Sequence, residues 1–280
     1  MQKTDRWTDW IKWGIRCLSQ PAVCEGDGWR FSLLTFRKCP RSTKGWGAFK
    51  EDARDMKRSG QILSVLDFGA HHGAQGKSVS VAVSDLAGRA SSDLRKGVWL
   101  SAAAAWIGQR LVGKDRPVRI LELGTCLGSG GVQLLHGCNG QVEYVGLEGS
   151  SELASFTADR LKRLYPEAEV TLFVGPFRNT LAPFLSQSPP LDLVFLDGHH
   201  EGSVLLDQWR QIRPALAPGA LVIVDDIRWS EDMHTAWIKL AQHPSVEALD
   251  VFRMGFLFAK GEEEGASRAQ LLRAPMHFWA

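Results

Sequence analysis

Residues 118–131 read VRILELGTCLGSGG, a short run of β-forming apolar residues that ends in a cluster of glycines. The apolar segment VQLL follows directly at 132–135. We expect a strand, a tight turn and a helix in that order, because glycine lets the backbone of the turn approach a ligand closely and the helix N-terminus can face that ligand. The stretch therefore predicts a nucleotide-sized pocket at one end of an α/β sheet.

The same β-rich character recurs along the chain, with segments of about 15 to 20 residues between the runs that suit helices. The five runs are Val118 to Gly124, Val142 to Glu148, Val170 to Gly175, Leu191 to Gly198 and Ala220 to Ile227. Two further segments, VEALDVF at 246–252 and GFLFAK at 255–260, predict a closing antiparallel strand pair. We therefore expect a Rossmann-like α/β fold with a seven-stranded, mostly parallel sheet and helices on both faces.

The sequence becomes regular only near residue 117, and this change predicts the domain organisation. Residues 1–115 are expected to form a helical or irregular N-terminal cap that shapes the substrate site. Residues 116–260 are expected to form the sheet domain. Residues 261–280 are expected to be a tail that is mobile or forms a loosely docked helix.

Composition limits the classes of partner. The chain has 33 Lys plus Arg against 31 Asp plus Glu, a net charge of +2, which provides no chain-wide attraction to nucleic acid or to anionic membranes. Its five cysteines include no C-x-x-C pair, and no apolar run of signal-peptide length follows the charged N-terminus. We expect a cytoplasmic protein with reduced thiols that acts on a small molecule, and a homodimer is left open.

The glycine turn does not fit a dinucleotide fingerprint, because Cys126 and Ser129 occupy positions where that pattern needs small residues. A nicotinamide-dependent dehydrogenase is therefore the weaker alternative. Two acidic residues fit another nucleoside: Glu122 precedes the first glycine by two positions, and Glu148 ends the next run. One carboxylate can hold both ribose hydroxyls, and the other lies beside the turn. The sequence has no phosphate cradle. This combination matches S-adenosylmethionine, a nucleoside without phosphate that carries an amino group and a sulfonium.

The segments ILELGTCLGSGG and VEYVGLEGS resemble the first two motifs of class I S-adenosylmethionine-dependent methyltransferases. The resemblance implies that Glu122, Gly124 and Thr125 line the methionine end of the cofactor and that Glu148 holds the ribose. The full set of cofactor contacts expected on this basis is Glu122, Gly124, Thr125, Gly128, Glu148, Gly149, Phe177 and Asp197.

Acidic residues end two of the later runs. Asp197 closes the run LDLVFLD, and Asp225 and Asp226 close ALVIVDD. Carboxyl ends of adjacent parallel strands lie about 4.8 Å apart, so the three carboxylates are expected to meet at one edge of the sheet. Such an oxygen-rich cluster suits a hard divalent cation such as Mg²⁺, which would lower the pKa of an acceptor hydroxyl.

His200 follows Asp197 by three positions, and an imidazole can accept a proton near neutral pH. We expect His200 and Asp197 to be catalytic, with Asp197, Asp225 and Asp226 as metal ligands. The layout resembles the cation-dependent O-methyltransferases, although the acidic pair here is Asp-Asp and a histidine replaces the lysine of the catechol-type enzymes. Alternatives stay open: the aspartates can cap helices, neighbouring Asp225 and Asp226 would face opposite sides of a strand, and His199 can be the base.

The chain is also similar to a group of uncharacterised bacterial methyltransferases with a DFGA, ELGTxLG and DDIxWS pattern, found here at 67–70, 122–128 and 225–230. Residues 67–76 are a candidate lid over the cofactor, and Trp229 is a candidate wall of the acceptor pocket. Candidate acceptor contacts are His71, His72, Lys77 and Arg89. Trp7, Trp10 and Trp13 are spaced for one side of a helix, where a core or dimer contact is favoured over an acceptor site.

These observations predict an S-adenosylmethionine-dependent methyltransferase that transfers the methyl group to an oxygen of a small molecule with help from a divalent cation. Two alternatives remain. One is a metal-independent N-methyltransferase whose acidic residues bind an amine, and the other is a methyltransferase-like protein that binds without catalysis.

Overall fold

The computed structural model of the 280-residue chain describes residues 27, 31, 46–66, 77–89, 94–138, 141–260 and 271–273. Several sequence-based predictions lie outside the described residues. They concern the tryptophans Trp7, Trp10 and Trp13, the candidate lid at 67–76 with His71 and His72, and the side chain of Arg89. Lys77 is described, and it is exposed.

The N-terminal part forms a small unit followed by one long helix. Its elements are α1 (Trp46–Arg58), β1 (Ile62–Leu66), β2 (Ser78–Ala82), α2 (Val83–Arg89) and α3 (Leu94–Arg110). Strands β1 and β2 pair with each other in an antiparallel hairpin that is separate from the main sheet.

Strands and helices then alternate as the sequence predicts. The elements are β3 (Val118–Leu123), α4 (Ser129–Gly137), β4 (Val142–Glu148), α5 (Ser151–Leu164), β5 (Glu169–Val174), α6 (Phe177–Leu185), β6 (Leu191–Leu196), α7 (Gly202–Ile212), β7 (Leu216–Val224), α8 (Glu231–Ala241), β8 (Val246–Asp250), β9 (Gly255–Ala259) and β10 (Leu271–Arg273), with a 3₁₀ turn at Arg213–Ala215 before β7.

The main sheet has the strand order β10-β8-β9-β7-β6-β3-β4-β5. Neighbouring strands from β7 to β5 are parallel, and β9 runs antiparallel to both β7 and β8. The predicted seven-stranded sheet with its antiparallel C-terminal pair is therefore confirmed, and β10 adds a short eighth strand parallel to β8. The strand order reverses between β3 and β6, which is where ligands bind in open α/β sheets.

The central strands are buried on both faces, which explains why their sequences do not alternate between apolar and polar residues. In β6, Leu193 and Phe195 enter the core beneath α3 and α4, whereas Val194 and Leu196 enter the core beneath α7 and α8. Polar side chains can therefore collect only where these strands end.

Helix α3 belongs structurally to the sheet, although it precedes the boundary that the sequence predicts at residue 115. Its residues Trp99 and Leu100 are buried in the core of the sheet. It packs tightly on α4, since a Cβ on Gly137 would lie 2.1 Å from the carbonyl oxygen of Ser101. This packing places one turn of α3 beside the carboxyl ends of β6 and β7.

Of the predicted tail at 261–280, only residues 271–273 are described, and they form β10 instead of part of a helix. None of the helices within the described residues is both long enough and apolar enough to cross a membrane.

Candidate active site

The glycine-rich turn between β3 and α4 is shaped by three residues in the left-handed region, Gly124, Cys126 and Gly128. Gly124 has a φ of 87° and Gly128 a φ of 77°, values that favour glycine over other residues. A Cβ on Gly124 would lie 2.6 Å from the carbonyl oxygen of Asp197. The turn therefore contacts the end of β6, and the predicted cofactor loop and the acidic residues share one edge of the sheet.

Glu148, the last residue of β4, ties this turn to the neighbouring strand. Its Oε2 accepts hydrogen bonds from the backbone N–H of Cys126 at 2.8 Å and the hydroxyl of Thr125 at 3.4 Å. Its Oε1 accepts the backbone N–H of Ser150 at 3.0 Å. Burial raises the pKa of Glu148, and the backbone donors oppose that rise. The carboxylate is thus fixed beside the turn, where the long bond to Thr125 is the weakest of its contacts.

Glu122 lies behind the turn instead of facing it. Only 1% of the residue is exposed, and the hydroxyl of Tyr144 donates to its Oε2 at 2.6 Å. A Cβ on Gly130 would lie 2.4 Å from Oε1 of Glu122, so the glycine in the first turn of α4 makes room for the carboxyl group. Burial raises the pKa of Glu122 to about 8, so the group is neutral at pH 7. A direct contact with the positive end of a cofactor stays a prediction, one that this burial disfavours.

The other predicted cofactor residues border the same edge. Thr125 is buried within the turn, and Gly149 follows Glu148. Phe177 begins α6, and its ring lies against the end of β6, because a Cβ on Gly198 would be 2.1 Å from Cε2 of Phe177. Their contacts with a cofactor remain predictions.

The acidic residues that end β6 and β7 meet a lysine that the sequence analysis did not single out. Lys96, in the first turn of α3, donates through Nζ to Oδ2 of Asp225 and, at 3.2 Å, to Oδ1 of Asp226. Its side chain is 7% exposed and that of Asp225 is fully buried. Burial lowers the pKa of Lys96, but Asp225, Asp197 and Asp226 outweigh it and hold the pKa above its ordinary value, so the ammonium stays charged.

A left-handed turn lets both neighbouring aspartates reach this lysine. Strand β7 ends at Val224, and Asp226 has a φ of 45°, a conformation that non-glycine residues adopt uncommonly. The backbone N–H of Asp226 donates to Oδ1 of Asp225 at 2.8 Å, which holds the turn. The opposite-face alternative therefore does not apply, because the two residues are no longer in the strand.

Asp197 completes the cluster on the β6 side. Burial, followed by the nearby charge of Asp225, raises the pKa of Asp197 well above its ordinary value. Asp226 behaves oppositely: Lys96, Arg253 and His200 overcome the effect of burial and lower its pKa. Asp226 therefore carries the exposed negative charge of the cluster, with Nη2 of Arg253 3.5 Å from its Oδ1.

His200 lies next to this cluster and against a tryptophan. Its ring centroid is 4.9 Å from that of Trp229, and the planes are tilted by 33°. Burial lowers the pKa of His200 against the opposing effect of Asp226 and Asp225, so the imidazole is neutral at pH 7. His199 instead packs edge-on against Phe177 at 5.4 Å. The geometry therefore brings His200, and not His199, together with the acidic residues.

Sequence reasoning missed Lys96 and Arg253, because each reaches the site from an element distant in sequence. It also missed Tyr144, which lies in the same strand as Glu148 but bonds Glu122 on the neighbouring strand. The one available signal for Lys96 is that it directly precedes the apolar run GVWLSAAAAWI at 97–107. A charged residue at such a position needs a buried partner.

Comparison with known proteins finds similarity over the part of the chain that contains this site. Residues 121–227 match the model of a methyltransferase domain family. This stretch runs from β3 through the turn after β7 and contains the glycine turn, Glu148, His200 and all three aspartates. Over this stretch the chain is similar to methyltransferase domains.

A catechol O-methyltransferase of Mycobacterium tuberculosis is 36% identical to this chain over 117 residues. The match covers 42% of this chain and 51% of the relative, so the chain spans about half the length of the curated relative it matches.

Solved structures with a similar fold cover more of the chain. Cofactor-bound Rv0187 from MTB superposes with a TM-score of 0.57 at 20% identity, covering 87% of this chain and all of that one. The O-methyltransferase TomG from Streptomyces achromogenes, in complex with SAM, has a TM-score of 0.54 at 18% identity, covering 85% of this chain and all of its own. These likenesses show the Rossmann-like fold of the chain.

The divalent cation predicted at Asp197, Asp225 and Asp226 fits this arrangement poorly. The ammonium of Lys96 lies where it bonds both Asp225 and Asp226, so these carboxylates already have a cation. Within the described part of the chain, no three His, Cys, Asp or Glu side chains are grouped so that they could hold a metal ion.

Proposed function

We propose that this chain is an S-adenosylmethionine-dependent O-methyltransferase that acts on a hydroxyl group of a small molecule. One observation carries the proposal: Gly124 of the cofactor turn touches the backbone of Asp197, three residues before His200. A cofactor held by the turn would therefore lie close to His200, the histidine that joins the acidic cluster in the described part of the chain. The catechol O-methyltransferase and TomG, both named as O-methyltransferases, support transfer to oxygen.

The glycine turn and Glu148 fit the nucleoside part of the cofactor. Glu148 is held by backbone N–H groups from both sides, so its oxygens stay in place without the cofactor. A carboxylate can accept about four hydrogen bonds, and a ribose hydroxyl would replace the long contact with Thr125. When bound, the cofactor supplies an activated methyl group on a sulfonium.

His200 is proposed as the base. The neutral imidazole accepts the proton of the acceptor hydroxyl as the new bond from oxygen to the methyl carbon forms. The bond from that carbon to sulfur breaks, and its electron pair remains on sulfur, which becomes a neutral thioether. Asp226, with its lowered pKa, stabilises the imidazolium that results. Trp229, 45% exposed and tilted over His200, forms one side of the acceptor pocket.

The N-methyltransferase alternative needs acidic residues that are available to an amine. Here Lys96 and Arg253 already face Asp226, so the attraction for a further cation is reduced. A neutral, partly buried histidine near Asp226, whose pKa is lowered, suits proton transfer, which a non-catalytic binding protein does not require. These observations favour the oxygen acceptor.

The cofactor assignment is tested by calorimetry with S-adenosylhomocysteine. We expect the wild-type chain to bind it, and Glu148→Ala to lose about 1.5 to 3 kcal/mol, the range for hydrogen bonds to charged groups, or roughly 10- to 150-fold in affinity. The exposed Glu167→Ala is the matched control and should bind like the wild type. Absence of binding by the folded wild-type chain would remove the proposal.

The acceptor class is tested separately with a panel of phenols, catechols, sugars and amines and a labelled methyl donor. We expect labelled ethers from hydroxyl acceptors. Label recovered only in amines would replace this proposal with the N-methyltransferase alternative.

A further inference from the structure

We infer that the ammonium of Lys96 takes the place of a divalent cation. The acceptor hydroxyl is then contacted by protein side chains and not by a metal ion. The inference deepens the proposed function and rests on it for the reaction. The ion-pair arrangement itself can be tested without any acceptor.

The first argument is the position of the Lys96 ammonium between the two aspartates. Its Nζ bonds one oxygen from each of the two neighbouring aspartates, and the left-handed turn at Asp226 orients both carboxylates toward it. The other oxygen of Asp225, Oδ1, already accepts the backbone N–H of Asp226. A metal ion bound to this aspartate pair would therefore compete with the ammonium of Lys96 for the same carboxylates.

The second argument is the positive charge already present beside Asp225 and Asp226. Arg253 lies 3.5 Å from Asp226, so two cationic side chains face the acidic pair. A divalent ion would add two further positive charges to this group at short range. The carboxylates gain less from an ion than they would if they stood alone, because like charges repel strongly where water is excluded.

The third argument is the fixed position of the helix that contains Lys96. Helix α3 is locked against the sheet by Trp99 and Leu100, each buried, and by the hydroxyl of Ser101, which donates to the carbonyl oxygen of Gln133 at 2.8 Å. This packing fixes the backbone of Lys96 beside the ends of β6 and β7, where its side chain reaches both aspartates. The role of Lys96 is to position Asp225 and Asp226, and through Asp226 to act on His200.

Removal of the lysine side chain should open a cation site. We expect Lys96→Ala to bind Mn²⁺, detected by electron paramagnetic resonance, at least tenfold more tightly than the wild type does. Mn²⁺ should also raise the melting temperature of Lys96→Ala and leave that of the wild type unchanged, because a ligand stabilises only the state that binds it. Lys96→Arg, which keeps the charge, and the exposed Lys239→Ala should both behave like the wild type.

Two further arms keep the test decisive. The double variant Lys96→Ala/Asp225→Asn removes the buried charge that Lys96→Ala leaves unpaired, and we expect it to fold and not to bind Mn²⁺. Stoichiometric Mn²⁺ binding by the wild type, lost in Asp226→Asn, would overturn the inference. So would a folded Lys96→Ala variant that fails to bind Mn²⁺. Binding of S-adenosylhomocysteine, measured on the same samples, reports on the proposed function independently.

Discussion

The two glutamates of this site, Glu122 and Glu148, differ in how their surroundings affect the charge of the carboxyl group. Two glutamates end neighbouring strands or lie close to their ends, yet Glu122 is covered by α4 and Glu148 is held by backbone donors. Sequence reasoning identified Glu122 from its spacing to Gly124 and Glu148 from its position at the end of the next run. It could not separate their roles, because burial and hydrogen-bond partners come from Tyr144, Gly130 and Ser150, and these contacts form only in the folded chain.

The raised pKa of Glu122 predicts a pH-dependent stability. Because the folded pKa of about 8 lies above the ordinary value of 4.5, the folded state binds the extra proton between these values, and stability falls as pH rises through this window. Glu122→Gln removes this loss and keeps an acceptor for Tyr144. The melting temperature of the variant relative to wild type should therefore increase from pH 5 to pH 8.

The exposed Glu167→Gln is the control for this measurement and should track the wild type at each pH. A constant difference between Glu122→Gln and wild type across the window would show that the carboxyl of Glu122 does not titrate there.

The proposed base predicts a kinetic separation between two adjacent histidines. We expect His200→Ala to lower kcat by roughly 10²- to 10⁴-fold, the range for general bases, and to leave the affinity for S-adenosylhomocysteine within about twofold. His199→Ala, which removes the ring packed on Phe177, should have a smaller effect on kcat. The reverse order of the two variants would assign the base to His199.

At the scale of elements, the strand–turn–helix unit depends on how closely the turn approaches β6. Sequence indicated the turn and its glycines because strand, glycine run and helix are adjacent in the chain. The approach of Gly124 to Asp197 joins residues more than 70 positions apart, so no local pattern contains it. The same holds for α3, whose apolar sequence predicts a buried helix but not that its first turn meets β7.

The variants Gly124→Ala and Gly113→Ala are a matched pair that tests the close contact between the glycine turn and β6. Both glycines have a positive φ, 87° and 83°, but a Cβ on Gly113 meets nothing within 4 Å. We expect Gly113→Ala to cost roughly 1 to 2 kcal/mol of unfolding free energy from backbone strain alone. Gly124→Ala should cost more and should weaken binding of S-adenosylhomocysteine at least tenfold. Denaturant unfolding and calorimetry check both, and equal losses would argue against the contact with β6.

At the scale of the whole molecule, the N-terminal unit is joined to the domain built on the main sheet through a buried ion pair. Arg160 of α5, 3% exposed in its side chain, bonds Asp52 of α1 and also donates to the carbonyl oxygen of Leu127 in the glycine turn. The apolar contacts of Met56 and Leu63 with Leu153 surround this pair. One arginine therefore couples the position of the N-terminal unit to the turn.

Arg160→Met should separate the two parts without unfolding the sheet. Loss of one partner from a buried pair costs about 3 to 5 kcal/mol, because the remaining charge of Asp52 stays buried. We expect faster limited proteolysis within residues 46–89 and weaker binding of S-adenosylhomocysteine. Arg163→Met, which removes a 67%-exposed arginine 3.6 Å from the same aspartate, is the control and should change neither readout. Equal proteolysis of the two variants would contradict this coupling.

Taken by itself, the sequence determined the order and type of the elements from β3 to β9, the glycine turn, and the acidic residues that end the strands. These features follow from local rules: apolar periodicity, glycine conformation and the burial of parallel strands on both faces. The tertiary structure alone decided which charges meet. It placed Lys96 between Asp225 and Asp226, where a metal ion was expected, and it buried Glu122 beneath α4. The physical reason is that electrostatic pairing depends on distance in space and on exclusion of water, and neither follows from distance along the chain.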